Sequence, residues 1–282
     1  MSDLPKLQQR RLESHKGDYG RALLIGGSRG MSGAIALAGM ATLRGGAGLV
    51  SLAVPADCLN TVAGFEPSYM TIPLPNDQDG RIIQAAQGTL EQLASTATCL
   101  ACGPGLGRSA ALTELVSWLH VSRTKPIVFD ADALNALATR PDILKNPGGP
   151  RVLTPHPGEF RRLTGGTSDS QATAQDASEF ALATKSVVVL KGHRTVITDG
   201  TAMHTNTTGN PGMATGGSGD VLTGVITAFL CQGLTPLDAA RLAAHVHGRA
   251  GDLAAAETGE VSLIARDLIR HLPAAIMEIE SE

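Results

Sequence analysis

The chain of 282 residues contains few aromatic residues, few cysteines, no run of basic residues and no long apolar segment. Aromatics make up 3% of it and apolar residues 43%, so the core is expected to consist of Ala, Val, Leu and Ile. A net charge of −3 without a basic patch argues against nucleic acid as the main partner. No apolar run approaches membrane-spanning length, and the polar N-terminus does not resemble a signal peptide. We therefore expect a cytoplasmic protein.

The four cysteines, at positions 58, 99, 102 and 231, do not form a disulfide framework for a protein of this size. Cys99 and Cys102 have the spacing of a metal or redox motif, but they lie in an apolar segment with no second pair nearby, so we expect core packing. The sequence also lacks Gly-Lys-Ser/Thr and a GxGxxG after a strand. These absences argue against a Walker loop and a Rossmann dinucleotide site.

The most informative segment that is present spans residues 210–224, where a glycine-rich loop leads into an apolar helix beginning near Asp220. A helix start offers unpaired backbone N–H groups and the positive end of the dipole, and glycines allow close approach to a phosphate. Gly217, Ser218 and Gly219 are therefore predicted to form an anion hole. Asp220 is placed to accept a proton from a hydroxyl that attacks phosphorus, or it could only cap its helix.

Strand-like and helical segments alternate through the first two thirds of the chain. Strands are expected at 22–25, 49–54, 100–102, 127–129 and 152–153, and helices at 32–44 and 110–120. This alternation is typical of a parallel sheet with crossover helices, whose functional loops follow the carboxyl ends of the strands. Short β-rich runs at 187–190, 195–198 and 202–205 predict an antiparallel edge, and three helices follow. We expect one domain, 1–282, with residues 1–13 as a flexible N-terminal segment.

Several motifs occur in a specific order along the chain. They are Ser14-His15-Lys16-Gly17, Gly26-Gly27-Ser28, Gly33-Ala34, residues 44–50, Gly103-Pro104-Gly105-Leu106-Gly107, Asp130-Ala131-Asp132, residues 154–159, Lys191-Gly192 and residues 210–224. In this order they resemble the ADP/ATP-dependent NAD(P)H-hydrate dehydratases, a branch of the ribokinase-like superfamily. The resemblance covers about residues 14–276.

The resemblance implies a three-layer α/β/α sandwich and a reaction that repairs a damaged cofactor. Members dehydrate the S epimer of NADHX or NADPHX with ADP or ATP and release phosphate; phosphorylation of the ring hydroxyl would make it a good leaving group. We expect Mg²⁺ as cofactor, a homotetramer, and no N-terminal epimerase domain, so that a separate epimerase would be the functional partner. The alternative is an alcohol kinase of the same superfamily, of the vitamin-precursor type; a nucleotide-binding regulator is a third reading.

The resemblance also assigns binding roles, residue by residue. The substrate residues are Ala34, Gly105, Gly107, His156 and Asp220, and the nucleotide residues are Lys191, Gly192, His193, Arg194, Thr195, Asn210 and Gly219. The metal ligands stay open. Glu159 could hold Mg²⁺ through water, orient His156 or only supply first-turn charge to a helix, and Asp132 could hold Mg²⁺ or a ribose, or cap its helix.

Overall fold

The computed structural model describes residues 4–166 and 172–280. The strands in that part of the chain are β1 (Arg21–Ile25), β2 (Leu49–Pro55), β3 (Met70–Leu74), β4 (Cys99–Cys102), β5 (Ile127–Phe129), β6 (Arg151–Leu153), β7 (Val187–Leu190), β8 (Val196–Thr198) and β9 (Met203–Thr205). They form one sheet in the order β3-β2-β1-β4-β5-β6-β7-β8-β9. Neighbours from β3 to β7 are parallel, and β7-β8 and β8-β9 are antiparallel. The predicted antiparallel edge is thus confirmed.

The α-helices lie on both faces of this sheet. They are α1 (Ser32–Arg44), α2 (Leu59–Ala63), α3 (Gln87–Thr96), α4 (Ala110–Ser122), α5 (Asp132–Ala138), α6 (Pro141–Leu144), α7 (Pro157–Leu163), α8 (Ala174–Thr184), α9 (Ser218–Cys231), α10 (Pro236–Thr258) and α11 (Ala265–Glu280). One hydrophobic cluster joins α1, α9, α10 and α11 to one face of the sheet, and another joins α3, α4 and α5 to the other. The predicted α/β/α sandwich is therefore confirmed.

Alternation along the strands divides the core between these two clusters. In β1, Leu24 faces the α9 layer, whereas Leu23 and Ile25 face the α4 layer, as the two-residue period of a strand requires. In β4, Cys99 and Cys102 belong to opposite layers, and both are free and buried. Their spacing reflects core packing, as predicted.

The position of α9 depends on a close approach to α1. A Cβ atom on Gly224 would lie 2.2 Å from the carbonyl oxygen of Ala38, so a larger residue would push the helices apart. The Thr42 hydroxyl donates to the Gly224 carbonyl at 3.1 Å, which joins the two helices at this point. The start of α9 is thereby held over the carboxyl ends of the central strands.

The N-terminal segment, expected to be flexible, makes contacts in its described part from residue 4 onward. The Arg10 guanidinium donates to the Gly46 carbonyl at 2.7 Å and lies 3.9 Å from the Tyr19 ring centroid. Residues 1–3 lie outside the described residues. Within the described part of the chain, no helix has the length and apolar character needed to cross a membrane.

Candidate active site

The glycine loop ends at a position whose backbone conformation and tight packing favour glycine. Gly217, the residue before α9, has φ 90°, and a Cβ atom there would lie 2.6 Å from Leu37 Cδ1. The first turn of α9 is held from behind by α10: the buried His247 places Nε2 2.9 Å from the Ser218 carbonyl oxygen. Burial lowers the pKa of His247 to about 4, so the ring is neutral and donates this hydrogen bond. The free N–H groups of the helix start therefore have a fixed direction.

A buried carboxylate, Asp130, lies beneath this turn and connects four elements. It follows β5, is 1% exposed, and accepts hydrogen bonds from Thr154 after β6 at 2.8 Å and from Thr223 of α9 at 2.9 Å. Lys191, directly after β7, donates to it at 2.7 Å and lies 3.9 Å from Glu159. Burial alone would lower the pKa of Lys191, but the carboxylates of Asp130, Glu159 and Asp220 outweigh burial and raise it. The ammonium group is therefore charged and fixed in position.

Asp220 differs from Asp130 because its carboxyl group has no partner. It is half-buried in the first turn of α9, and no group in residues 4–166 or 172–280 donates a hydrogen bond to it. Burial raises the pKa of Asp220 to about 7; the charge of Asp130 adds to this rise and Lys191 opposes it. A carboxylate with this pKa is suited to accept a proton near neutral pH.

A cleft of 720 Å³ opens between α9, α10 and the antiparallel edge; we call it the edge cleft. It is lined by His156, Pro157, Lys191, Gly192, His193, Arg194, Thr195, Asn206, Thr208, Gly209, Asn210, Pro211, Met213, Ala214, Ser218, Gly219, Leu222, Ala244, His247 and Gly248. All seven residues predicted to bind nucleotide are in this set. A Cβ on Gly219 would lie 3.3 Å from Lys191 Nζ, so the helix start and the lysine meet at the inner end of the cleft.

The residues predicted to bind the second substrate are divided between two places. Ala34 in the first turn of α1 lies close to Gly105 in the loop after β4, since a Cβ on Gly105 would be 3.1 Å from the Ala34 methyl group. Gly107 donates its N–H to Asp132 at 2.9 Å. His156 instead lines the edge cleft, beside Asp130 and Lys191.

His156 begins α7 and forms a capping box with Glu159. Its Nδ1 accepts N–H bonds from Gly158 at 3.0 Å and Glu159 at 3.3 Å, while Glu159 accepts the His156 N–H at 2.9 Å. Burial lowers the pKa of His156, and Lys191 and Arg162 lower it further against the opposing effect of Glu159. With Nδ1 accepting, Nε2 carries the ring proton, and it lies 3.4 Å from Glu159 Oε1.

The two candidate metal ligands, Glu159 and Asp132, both have protein partners. Glu159 caps α7, and Asp132 accepts from Gly107 and lies 3.4 Å from Arg108 Nε. Among the described residues, no group of three His, Cys, Asp or Glu side chains could hold a metal ion. This arrangement fits a metal that enters with phosphates and takes one or two carboxylates, as Mg²⁺ commonly does, rather than a dedicated cage.

Some functional positions were not predicted from the sequence. The sequence indicates Asp130 only as one of a pair of acids, and its partners Thr154 and Thr223 lie within the predicted motifs but have no predicted role. A signal was present, because Thr223 is three residues after Asp220 and therefore lies on the same side of the helix. His247 was not assigned to the site either, because its bond to Ser218 depends on how α10 packs against α9.

A glycine loop at a helix start, a lysine held by a buried carboxylate and a nearby acid lie together at the carboxyl edge of a ribokinase-like fold. A sequence model described as NAD(P)H-hydrate dehydratase matches residues 22–274. The chain belongs to the NAD(P)H-hydrate dehydratase family.

Known relatives agree with this assignment. The bifunctional NAD(P)H-hydrate repair enzyme of Moorella thermoacetica is 45% identical over 98% of this chain, which spans only 53% of that relative. The ADP/ATP-dependent NAD(P)H-hydrate dehydratase of Bacillus subtilis, crystallised with ATP and Mg²⁺, is 32% identical, with a TM-score of 0.82 over 96% of this chain and 94% of that one. A ribokinase-like protein of Enterococcus faecalis is 28% identical, with a TM-score of 0.82 over 96% and 92% of the two chains.

Proposed function

We propose that the protein dehydrates the S epimer of NADHX or NADPHX to NADH or NADPH, with ADP or ATP as phosphoryl donor and Mg²⁺ as cofactor. The observation that carries this proposal is the unpaired Asp220 carboxyl, which follows Gly219 at the inner end of a cleft lined by every predicted nucleotide residue. The Bacillus subtilis relative supports the choice of substrates, since it is named as an ADP/ATP-dependent dehydratase.

Asp220 acts as the general base in the first step. It takes the proton of the ring hydroxyl as the hydroxyl oxygen attacks the terminal phosphorus of the nucleotide; a new O–P bond forms, and the bond to the leaving AMP or ADP breaks. The ring C–O bond then breaks with the help of the electron pair of the ring nitrogen, and the group leaves as inorganic phosphate. The neighbouring ring carbon loses its proton to the departing phosphate, which restores the double bond. The sum is hydrate plus nucleotide giving NAD(P)H, phosphate, the shorter nucleotide and the proton that Asp220 took up and then releases to solvent.

The anion hole and Lys191 stabilise the charge that develops during transfer. The backbone N–H groups of Gly217 and Gly219 would face the phosphate at the start of α9, whereas the Ser218 N–H donates to the Thr215 carbonyl oxygen at 3.4 Å and would have to exchange this partner for the phosphate. The dipole of this 14-residue helix adds positive potential. Lys191, fixed by Asp130, contributes a full charge at the same point. The donors are in place before the reaction, so no reorganisation is needed at the transition state.

Mg²⁺ supplies charge neutralisation on the phosphates when it is bound. Glu159 and Asp132 are the carboxylates that would hold it, through water or directly, together with phosphate oxygens. His156 binds and orients rather than transfers protons, because Nδ1 accepts the N–H groups at the start of α7 and Nε2–H faces the Glu159 carboxylate.

The relatives and the free thiols support expectations about the functional partner, the oligomeric state and the location of the protein. The chain spans about half the length of the curated relatives it matches, and they are named as bifunctional repair enzymes. An epimerase activity is therefore the expected functional partner. A homotetramer is expected from the family and would be measured by light scattering of the purified protein. A cytoplasmic location agrees with the four free cysteines.

The test is absorbance at 340 nm in purified protein given NADHX or NADPHX, Mg²⁺ and either ADP or ATP. We expect a rise that requires nucleotide, with one phosphate released for each NAD(P)H formed. A rise without nucleotide, or no rise with fresh substrate containing the S epimer, would contradict the proposal. Phosphate that stays on an alcohol product would favour a kinase of the same superfamily.

A further inference from the structure

A second cleft, of 360 Å³, lies on the other side of the site and shares no lining residue with the edge cleft. Its wall contains Gly107, Arg108, Asp132, Asn135 and Arg162, and we call it the arginine cleft. Since Gly107 is in this wall, the cleft begins where the loop after β4 ends. The start of α4 borders it as well, at Ser109.

A chain of hydrogen bonds and one ion pair holds the two arginines in this wall. Arg162 Nε donates to the Asn135 side-chain oxygen at 2.7 Å, and the Asn135 amide lies 3.4 Å from Asp132 Oδ1. The same Asp132 oxygen is 3.4 Å from Arg108 Nε. Each arginine thus uses its Nε, and no described residue accepts a hydrogen bond from the terminal nitrogens of either side chain.

These free terminal nitrogens point to the chemistry of the ligand. Paired guanidinium nitrogens match the oxygens of a phosphate group, and the positive end of the α4 dipole favours the same charge. Two arginines against the single carboxylate of Asp132 leave the wall with a net positive charge. Asp132 also has its Oδ2 turned to the Gly107 N–H, 2.9 Å away, which satisfies part of its own charge.

The arginine cleft is connected to the reaction centre. Asp132 follows by two residues Asp130, whose Oδ2 would lie 3.8 Å from a Cβ on Gly219, the neighbour of Asp220. Arg162 follows by three residues Glu159, which lies 3.9 Å from Lys191. A dinucleotide whose hydrated ring lies at Asp220 can therefore extend past Gly107 into this cleft. The nucleotide donor has its own place in the edge cleft.

We propose that Arg108 and Arg162 bind a phosphate of the hydrated dinucleotide, either its pyrophosphate or the 2′-phosphate found only in NADPHX. This proposal rests on the proposed function for the identity of the second substrate. It assigns the two clefts to the two substrates: nucleotide in the edge cleft and dinucleotide in the arginine cleft.

The experiment compares Arg108→Gln, Arg162→Gln and the double variant with Arg140→Gln. Arg140 is a matched control because it follows Thr139 of the cleft wall but pairs outward with Glu114 and Asp142. Calorimetric titration with NADP⁺ and NAD⁺ measures binding without turnover, and kcat/KM is measured for both hydrates. We expect each Gln variant to weaken dinucleotide binding about 10-fold and the double variant about 50-fold or more. Arg140→Gln should stay within twofold of wild type.

The pattern of loss identifies the phosphate. A loss for NADP⁺ and NADPHX alone assigns the 2′-phosphate, whereas an equal loss for NAD⁺ and NADHX assigns the pyrophosphate; both support the proposal. Unchanged dinucleotide affinity in the double variant, no binding of either dinucleotide to wild type, or a rise only in the KM for ADP or ATP would overturn it. If wild type binds dinucleotide but turns over neither hydrate, the proposed function fails while the titration still decides this inference.

Discussion

The two edges of the parallel sheet differ in how fully their charged side chains are hydrogen-bonded. At the amino edge, Arg151 begins β6 and is 1% exposed, yet its guanidinium donates to the carbonyl oxygens of Leu119, His120, Arg123, Lys125 and Pro150. Leu119 and His120 are near the end of α4, whose last carbonyls have no partners within the helix. Burial lowers the pKa of Arg151 only to about 10, so it stays charged at neutral pH.

At the carboxyl edge, one acidic side chain is paired, and another has no hydrogen-bond donor among the described residues. Asp130 accepts hydrogen bonds from Thr154, Lys191 and Thr223, but no group in the described part of the chain donates one to Asp220. The negative charge of Asp130 makes ionisation of Asp220 harder. A partner for Asp220 would hold its pKa down and make it a weak base. The difference teaches that the amino edge is arranged for stability and the carboxyl edge for proton transfer.

The largest effect is expected from Asp220→Asn, which removes the base and keeps the shape. Turnover should fall about 10³-fold or more, because a positioned base contributes on that order. Binding of ADP or ATP should stay nearly the same, since Lys191 and the helix start are intact. Steady-state kinetics and calorimetric nucleotide titration of one preparation check both statements. Turnover within tenfold of wild type would remove Asp220 from the role of base.

Arg151→Met tests the other edge. Several carbonyl groups would lose their donor, and the folded state should lose about 3 kcal/mol of unfolding free energy. Its kcat should change less than twofold, because the amino edge takes no part in the chemistry. Urea unfolding and kinetics below the transition measure the two quantities. Arg140→Met is the control, as an exposed ion pair should matter much less. A large fall in kcat with unchanged stability would contradict the assignment of the amino edge to stability and the carboxyl edge to proton transfer.

The substitution Asp130→Asn is expected to change both stability and nucleotide binding. Loss of the charge leaves Lys191 without its ion pair, so stability should fall by about 2 kcal/mol and the KM for nucleotide should rise about tenfold. The same change should lower the pKa of Asp220, because Asp130 is one of the charges that raise it. The acid limb of the pH–rate profile should therefore move to lower pH, which loss of folded protein alone would not produce. An unmoved limb would show that Asp130 has only a structural role.

The smallest effect is expected from Thr223→Val, which removes one hydrogen bond to Asp130. Stability should fall by about 1 kcal/mol. The KM for nucleotide should rise two- to threefold as Asp130 and Lys191 become less rigid. Thr227→Val is the matched control: Thr227 is one turn later on α9 and donates to the Thr223 carbonyl. If both variants change the KM equally, the Asp130 network does not position Lys191.

Local pattern predicted much of the fold. Strands with continuous apolar runs, such as Val187–Leu190, and the helix Ser32–Arg44 have clear boundaries, and their observed bounds agree with the expected ones. Strand β3 was not predicted, because Met70–Leu74 is a short, partly exposed edge strand that contains a proline. The strand expected at 49–54 extends one residue further and ends at Pro55.

The site could be predicted only where its chemistry is carried by neighbouring residues. The glycine loop and Asp220 are contiguous, so their spacing already indicates an anion site beside an acid. The arginine of the amino edge could not be found in this way, since Arg151 and its acceptor Leu119 are 32 residues apart. Likewise, Asp130 and Asp132 are the same residue type two positions apart, so the sequence does not distinguish their roles. Only packing decides that Asp130 accepts a hydrogen bond from Thr223 while Asp132 accepts one from Gly107.

The most direct test of the unpaired acid is the unfolding free energy of wild type and Asp220→Asn from pH 3.5 to pH 8. The folded state raises the pKa of Asp220 to about 7, so between the ordinary pKa near 4 and pH 7 the folded protein holds more protons than the unfolded chain. Wild type should therefore lose stability relative to the Asn variant as the pH rises through this window, and the difference should be constant above it. A difference that does not depend on pH, or a wild type that gains on the variant with rising pH, would contradict the account.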